Sequence, residues 1–161
     1  TDAPIFRVEE ALLNYAEASF ELGEFDQTVA DATINRLRAR VRMPKMNVAD
    51  ITATFDLKRD PTVDPVLWEI RRERRVELMG DGFRFDDLRR WKKGTYLNKQ
   101  PLGLWVDNSK FGNKLSIYGG GQTGYVQYFT APVGWKENYY LFPLPKDQLV
   151  LNTKLVQNPG W

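Results

Sequence analysis

The 161-residue sequence contains neither cysteine nor histidine. Without cysteine, disulfides, thiolate zinc sites and a cysteine nucleophile are excluded. Without histidine, the commonest general base and metal ligand is missing. No cofactor and no thiolate or imidazole metal site are expected on these grounds. The lack of cysteine is compatible with an oxidising compartment but does not establish one. A surplus of one charge is missing too: 23 basic and 21 acidic residues leave a formal net charge of +2, which provides no field strong enough to steer polyanions. No run of eighteen apolar residues appears, and no basic n-region precedes an apolar h-region, so neither a spanning helix nor a signal peptide is expected in this stretch. The length suits one domain over 1–161, burying roughly two-thirds of its unfolded surface.

What is present begins with helical periodicity. Val8, Leu12, Tyr15, Ala16, Ser19 and Phe20 recur at helical spacing, and Gly23 follows as a C-cap. A second stretch over Phe25, Val29, Ala30, Ala32, Ile34, Leu37 and Val41 has the same period and ends at Pro44. Small residues at 16, 18, 30 and 32 sit where two helices would cross, so 1–44 resembles a single tetratricopeptide-like hairpin. One such unit cannot bury its face alone, and a neighbour is expected to stack on it.

Residues 63–93 read as a charged helical pair. Asp64 followed by Pro65 is an N-cap with proline at the first helical position, so "DPVLWEIRRERRVELMG" is expected to be one helix closed by Gly80. Glu69, Glu73 and Glu77 fall four apart on one face, and arginines intervene. A helix built to grip phosphate gains nothing from three glutamates among its arginines, so no nucleic-acid contact is expected. The expectation is instead a structural ion-pair network of Arg71, Glu73, Arg74, Arg75, Glu77, Asp86 and Asp87, with at least one of the three arginines buried against an acidic partner. A further helix is expected from about 82 to 93, with Arg89, Arg90, Lys92 and Lys93 opposing its dipole.

From 94 to 161 no sustained helical period survives. Aromatics and glycines alternate irregularly, including "YGGGQTGY", which lacks the lysine and hydroxyl pair of a phosphate loop and suits a hairpin tip. The prolines of "LFPLP" forbid helix and favour an extended clamp. The fold class expected is therefore all-α: a tetratricopeptide-like hairpin, further helices, and a long irregular aromatic-rich C-terminal region. Carboxylates are plentiful, but no spacing places two of them in one cleft, so an enzyme is not expected.

Three motifs then carry a resemblance. "IRRERRVELMGDGFRFDDLRRW", the pair "ALLNYAEASFELG" and "INRLRARVRMP", and the ending "YLFPLPKDQLVLNTKLVQNPGW" are together similar to the SusD/RagB family of outer-membrane nutrient-binding lipoproteins. Members are longer, and the chain resembles their C-terminal portion. The resemblance implies non-catalytic binding of an oligosaccharide or polysaccharide at the cell surface. It further implies delivery to a SusC-like TonB-dependent transporter, location at the outer membrane, and membrane association through a lipid anchor not present in this chain. A helical-repeat protein–protein interaction module without sugar binding is the alternative. Aromatic-rich irregular segments either stack sugars or plug loops onto the body of a protein. If they stack sugars here, the candidates are Trp105 with Asp107 and Asn108, and Trp135 with Glu137 and Asn138.

Overall fold

The computed structural model describes residues 6–129, 131, 132 and 134–161. Helix dominates, and the chain divides into two compact units, one ending at Arg84 and the other spanning Phe85–Trp161.

The first unit is built from four helices: α1 (Val8–Glu21), α2 (Gln27–Ala32), α3 (Ile34–Arg40) and α4 (Pro65–Glu77). Helix α1 has Glu9 and Glu10 in its first turn, where acidic charge opposes the dipole. It stops at Gly23, whose φ of 74° an L side chain rarely adopts. The second stretch of helical period is broken. Thr33 sits at φ −120°, ψ −91°, and its hydroxyl donates to the Val29 carbonyl at 2.6 Å, a back-bond of the kind that bends helices. Asp26 caps α2 through the Val29 amide, and Asp64 caps α4 through the Val66 and Leu67 amides with Pro65 behind it. These helices enclose Leu13, Ala16, Ile34, Leu37, Met46, Ile51, Ile70 and Leu78. Each large member contributes roughly 1.5–3 kcal/mol by leaving water.

Asn35 closes this core on one side. Its amide donates to the Met46 carbonyl at 3.0 Å and accepts from the Met46 amide at 2.6 Å, so one buried side chain imitates a strand neighbour for the 46–48 segment. Gln27 extends the imitation by accepting from the Val48 amide and donating to the same Met46 carbonyl. Asn35→Ala leaves the Met46 amide unpartnered in an apolar surround, and the expected loss is about 1–3 kcal/mol. Urea unfolding checks it: an unchanged midpoint would show that water replaces the amide.

The second unit starts with α5 (Arg84–Arg90, its first residue belonging to the other unit) and ends with α6 (Lys146–Leu151). Helix α5 is shorter than the 82–93 expected. Lys92 adopts φ 55°, and the Lys93 amide turns back to the Leu88 carbonyl at 2.8 Å, which closes the helix as a glycine would. Two short strands, β1 (Trp105–Asp107) and β2 (Thr123–Tyr125), pair antiparallel. "LFPLP" is extended up to Pro145, where α6 begins. The segment behaves as a clamp within this unit. Arg89 of α5 donates to the carbonyls of Tyr139 and Tyr140 and lies 3.8 Å from the centre of the Phe142 ring. Gln157 bonds both the amide and the carbonyl of Leu144. No helix among the described residues is long and apolar enough to cross a membrane.

Candidate functional site

The ribbon of β1 and β2, with the segment beside it, gathers three of the exposed aromatics. Its register sets Trp105 opposite Tyr125, Val106 opposite Gly124 and Asp107 opposite Thr123. A bridge between Ile117 and Val126 adds the segment 116–118 on the other side of β2, and the Tyr118 amide donates to the Tyr125 carbonyl at 2.8 Å. Directly opposed residues share a face, so Trp105, Tyr125 and Tyr118 form one row across three chain segments, neighbouring segments lying about 4.8 Å apart. Alternation separates the two faces. Ile117, Gly124 and Val126 are buried, whereas Trp105, Tyr125 and Tyr118 are 63%, 45% and 52% exposed. Gly124 is required there, since a Cβ would stand 2.7 Å from the Ile117 side chain. The row is not flat: the Trp105 and Tyr125 rings stand 5.0 Å apart at 82°, making a corner with one ring as floor and the other as wall. "YGGGQTGY" is the tip that joins Tyr118 to Tyr125, with Gly119 and Gly120 at positive φ.

Asp107 shares the face of Trp105 two residues along the strand, roughly 6.6 Å away. Its carboxylate accepts from the Ser109 amide at 3.1 Å and the Ser109 hydroxyl at 2.7 Å. Those two bonds, with help from Lys110 and the Gln122 side chain, hold its pKa below the usual carboxylate value. A fixed acceptor beside an exposed indole is what a stacked sugar ring needs: apolar contact for one face and a partner for the hydroxyls at its rim. Asn108 does something else. It is buried, donating to the Leu115 carbonyl and accepting from the Leu115 amide, so it pins the loop.

Trp135 lies in a different cluster, half-buried among Phe85, Tyr139 and Tyr140 at 5.8, 5.6 and 4.8 Å between ring centres. Its indole Nε1 is buried without a hydrogen-bond partner. Asn138 ties the chain end, its amide donating to the Gly160 carbonyl while its own carbonyl accepts from the Trp161 indole at 3.0 Å. Glu137 is exposed on the same turn. The six candidates therefore split, with Trp105 and Asp107 on the ribbon face, Asn108 beneath it, and the other three around the chain end. Tyr125 and Tyr118 join the row from outside the six. Their signal was available, since two tyrosines flank a glycine-rich tip and must pair if the tip is a hairpin.

The charged helix α4 ties the first unit together. Glu69 and Glu73 accept from Arg38 of α3, the former at 2.5 Å, and Arg72 adds bonds from its own helix. Glu77 accepts from Arg7 and Arg40, each at 2.7 Å. Arg71 lies 3.6 Å from Glu17. Arg74 is buried, donates to Asn14 at 2.8 Å and lies over Phe83. Arg75 is exposed. In the other unit Asp86 and Asp87 meet Arg89 and Arg90 one turn on, at 3.6 and 3.0 Å. Arg38 lies outside the network expected from the sequence although it shares the 34, 37, 41 stripe of apolar positions. A charge on a buried stripe is the signal.

No group of three or more acidic side chains placed to hold a metal ion occurs among the described residues. Comparison with known proteins gives one consistent result. The profile described as the SusD family matches residues 1–161. A SusD-like protein from Bacteroides fragilis is 29% identical with a TM-score of 0.67, covering 98% of this chain and 25% of its own. The protein BT4246 is 32% identical with a TM-score of 0.71, covering 100% of this chain and 24% of its own. A SusD-like carbohydrate binding protein from Bacteroides fragilis, 24% identical with a TM-score of 0.63, shares the fold over 94% of this chain. Among curated proteins none matches. The chain spans about a quarter of the length of the solved structures it matches.

Proposed function

The chain belongs to the SusD family, and on that premise we propose that it is part of a non-catalytic glycan-binding protein at the outer cell surface, with the Trp105 face of the ribbon as a sugar-contacting surface. The observation that carries the reading is the exposed corner of Trp105 and Tyr125 with Asp107 fixed beside it. The carbohydrate binding named for a relative of the same fold supports it. Captured glycan is handed to a SusC-like TonB-dependent transporter, and a lipid anchor outside this stretch holds the protein at the membrane. The hairpin of α1 with α2 and α3 serves as a tetratricopeptide-like stacking unit.

The alternative, a protein–protein module without sugar contact, makes the opposite prediction at one residue. Titrated by calorimetry against a panel of oligosaccharides, the chain is expected to bind at least one with millimolar affinity, roughly 4 kcal/mol. Trp105→Ala should weaken that binding at least tenfold while the thermal midpoint stays put, because a residue 63% exposed contributes little to folding. Equal binding by both proteins would assign Trp105 to another partner.

A further inference from the structure

We infer that the ribbon face selects uncharged sugar rings and disfavours glycans bearing carboxylate or sulfate, with Asp107 as the specificity-determining residue. The inference rests on the glycan reading above and narrows it.

The strand positions sharing the face with Trp105 and Tyr125 are Asp107, Thr123, Tyr118 and, at the ends of the pairing, Ser116 and Gln127. One of these is charged, and it is acidic. The Ser109 amide and hydroxyl hold that carboxylate in place, so it cannot swing away from an incoming anion. Two donors, both from Ser109 and both on Oδ1, occupy part of its roughly four lone-pair directions. What remains is an acceptor, fitted to a hydroxyl and unable to donate to a sugar carboxylate. Lys110, on the adjoining 3-10 turn, softens this charge and is exposed. It leaves the geometry of the acceptor unchanged. A ring stacked on Trp105 reaches Asp107 with its rim, since the two lie roughly 6.6 Å apart on one face. The second ring stands perpendicular to the first and bounds the floor on one side. An acidic sugar there meets a like charge close to its ring.

The test pairs polymers that differ in the oxidation of the primary hydroxyl to a carboxylate. Amylopectin, galactomannan and arabinogalactan are each compared with their own 6-carboxylated form, made by oxidation, in affinity gels containing the 161-residue chain as wild type, Asp107→Asn and Trp105→Ala. Asparagine keeps the acceptor for Ser109 and is itself a good cap, so the variant folds. Wild type is expected to be retarded at least tenfold more strongly by the neutral member of any pair it binds. In Asp107→Asn that ratio should fall at least threefold, and Trp105→Ala should lose both members. Equal or stronger retardation by the carboxylated form, or an unchanged ratio in Asp107→Asn, overturns the assignment of Asp107 while leaving the glycan reading intact. Retardation that survives Trp105→Ala, or none by any of the six polymers, overturns the ribbon as a sugar surface and this inference with it.

Discussion

Replacing Arg38 with methionine is expected to destabilise the first unit by about 3–5 kcal/mol, the usual effect of leaving buried charges without their partner. Arg38, Glu69 and Glu73 retain 7%, 1% and 8% of their side-chain exposure, so water cannot step in. Arg38 spans both carboxylates from the neighbouring helix. Arg72, on the glutamates' own helix and 40% exposed, neutralises part of what remains but ties no second element. The cluster's worth lies in joining α3 to α4. If so, removing all three charges together (Arg38→Met, Glu69→Leu, Glu73→Leu) should cost far less than removing one, because a buried ion cluster and a packed apolar one are close in free energy. Urea unfolding of the single and triple variants checks both halves. A harmless Arg38→Met, or a triple variant worse than the single, would refute the account.

The same cluster fixes how stability responds to acid. Burial pushes the Glu69 carboxyl up, but the hydrogen bonds and charges of Arg72 and Arg38 outweigh it and hold the pKa below the usual value. A carboxyl with a lowered folded pKa binds fewer protons folded than unfolded, so its stabilisation is complete above about pH 4.3, its unfolded value, and is lost as the pH falls through the lowered one. In Arg38→Met the folded pKa moves up, so the acid-unfolding midpoint should move to higher pH. A midpoint that stays put would place acid sensitivity elsewhere.

Local chemistry made the helix ends legible. Asp64 with Pro65 and Gly23 act as read, because each concerns one or two residues and the backbone angles they permit. Thr33 was not legible as a break: threonine is tolerated in helices, and its back-bond depends on the local path. The acidic and basic rows of α4 are legible in the sequence, but a partner distant in sequence is not: Arg38 lies 31 and 35 residues from the two glutamates it binds. The candidate site shows the same limit. Aromatic density marked the region, but which tryptophan stands out in solvent follows from strand register, and strands of three residues leave little period to read. Trp105 and Trp135 have similar neighbours in sequence and opposite surroundings in space.

That contrast gives a second large effect. Trp135 is wedged between Phe85, Tyr139 and Tyr140, and the ring presses so closely on Gly94 that a Cβ there would stand 2.0 Å from the indole Cε2. Gly94 is buried, and its backbone carries no positive φ, so Gly94→Ala has no conformational penalty to confuse the result. Its cost is overlap alone. Three aromatic neighbours and the Tyr140 hydroxyl, which accepts from the Gly94 amide at 3.0 Å, leave the indole little freedom to retreat, and the expected loss is about 1–3 kcal/mol. Trp135→Ala should cost about 3 kcal/mol by emptying the same space. The two changes cannot add. With the ring gone, a methyl at position 94 fills part of the void, so the double variant should be no less stable than Trp135→Ala and more stable than the sum of the single effects by at least 1 kcal/mol. Urea unfolding of the four proteins measures the coupling directly. An additive cycle would mean that the indole does not rest on Gly94, and Trp135 would return as a free face able to meet a ligand.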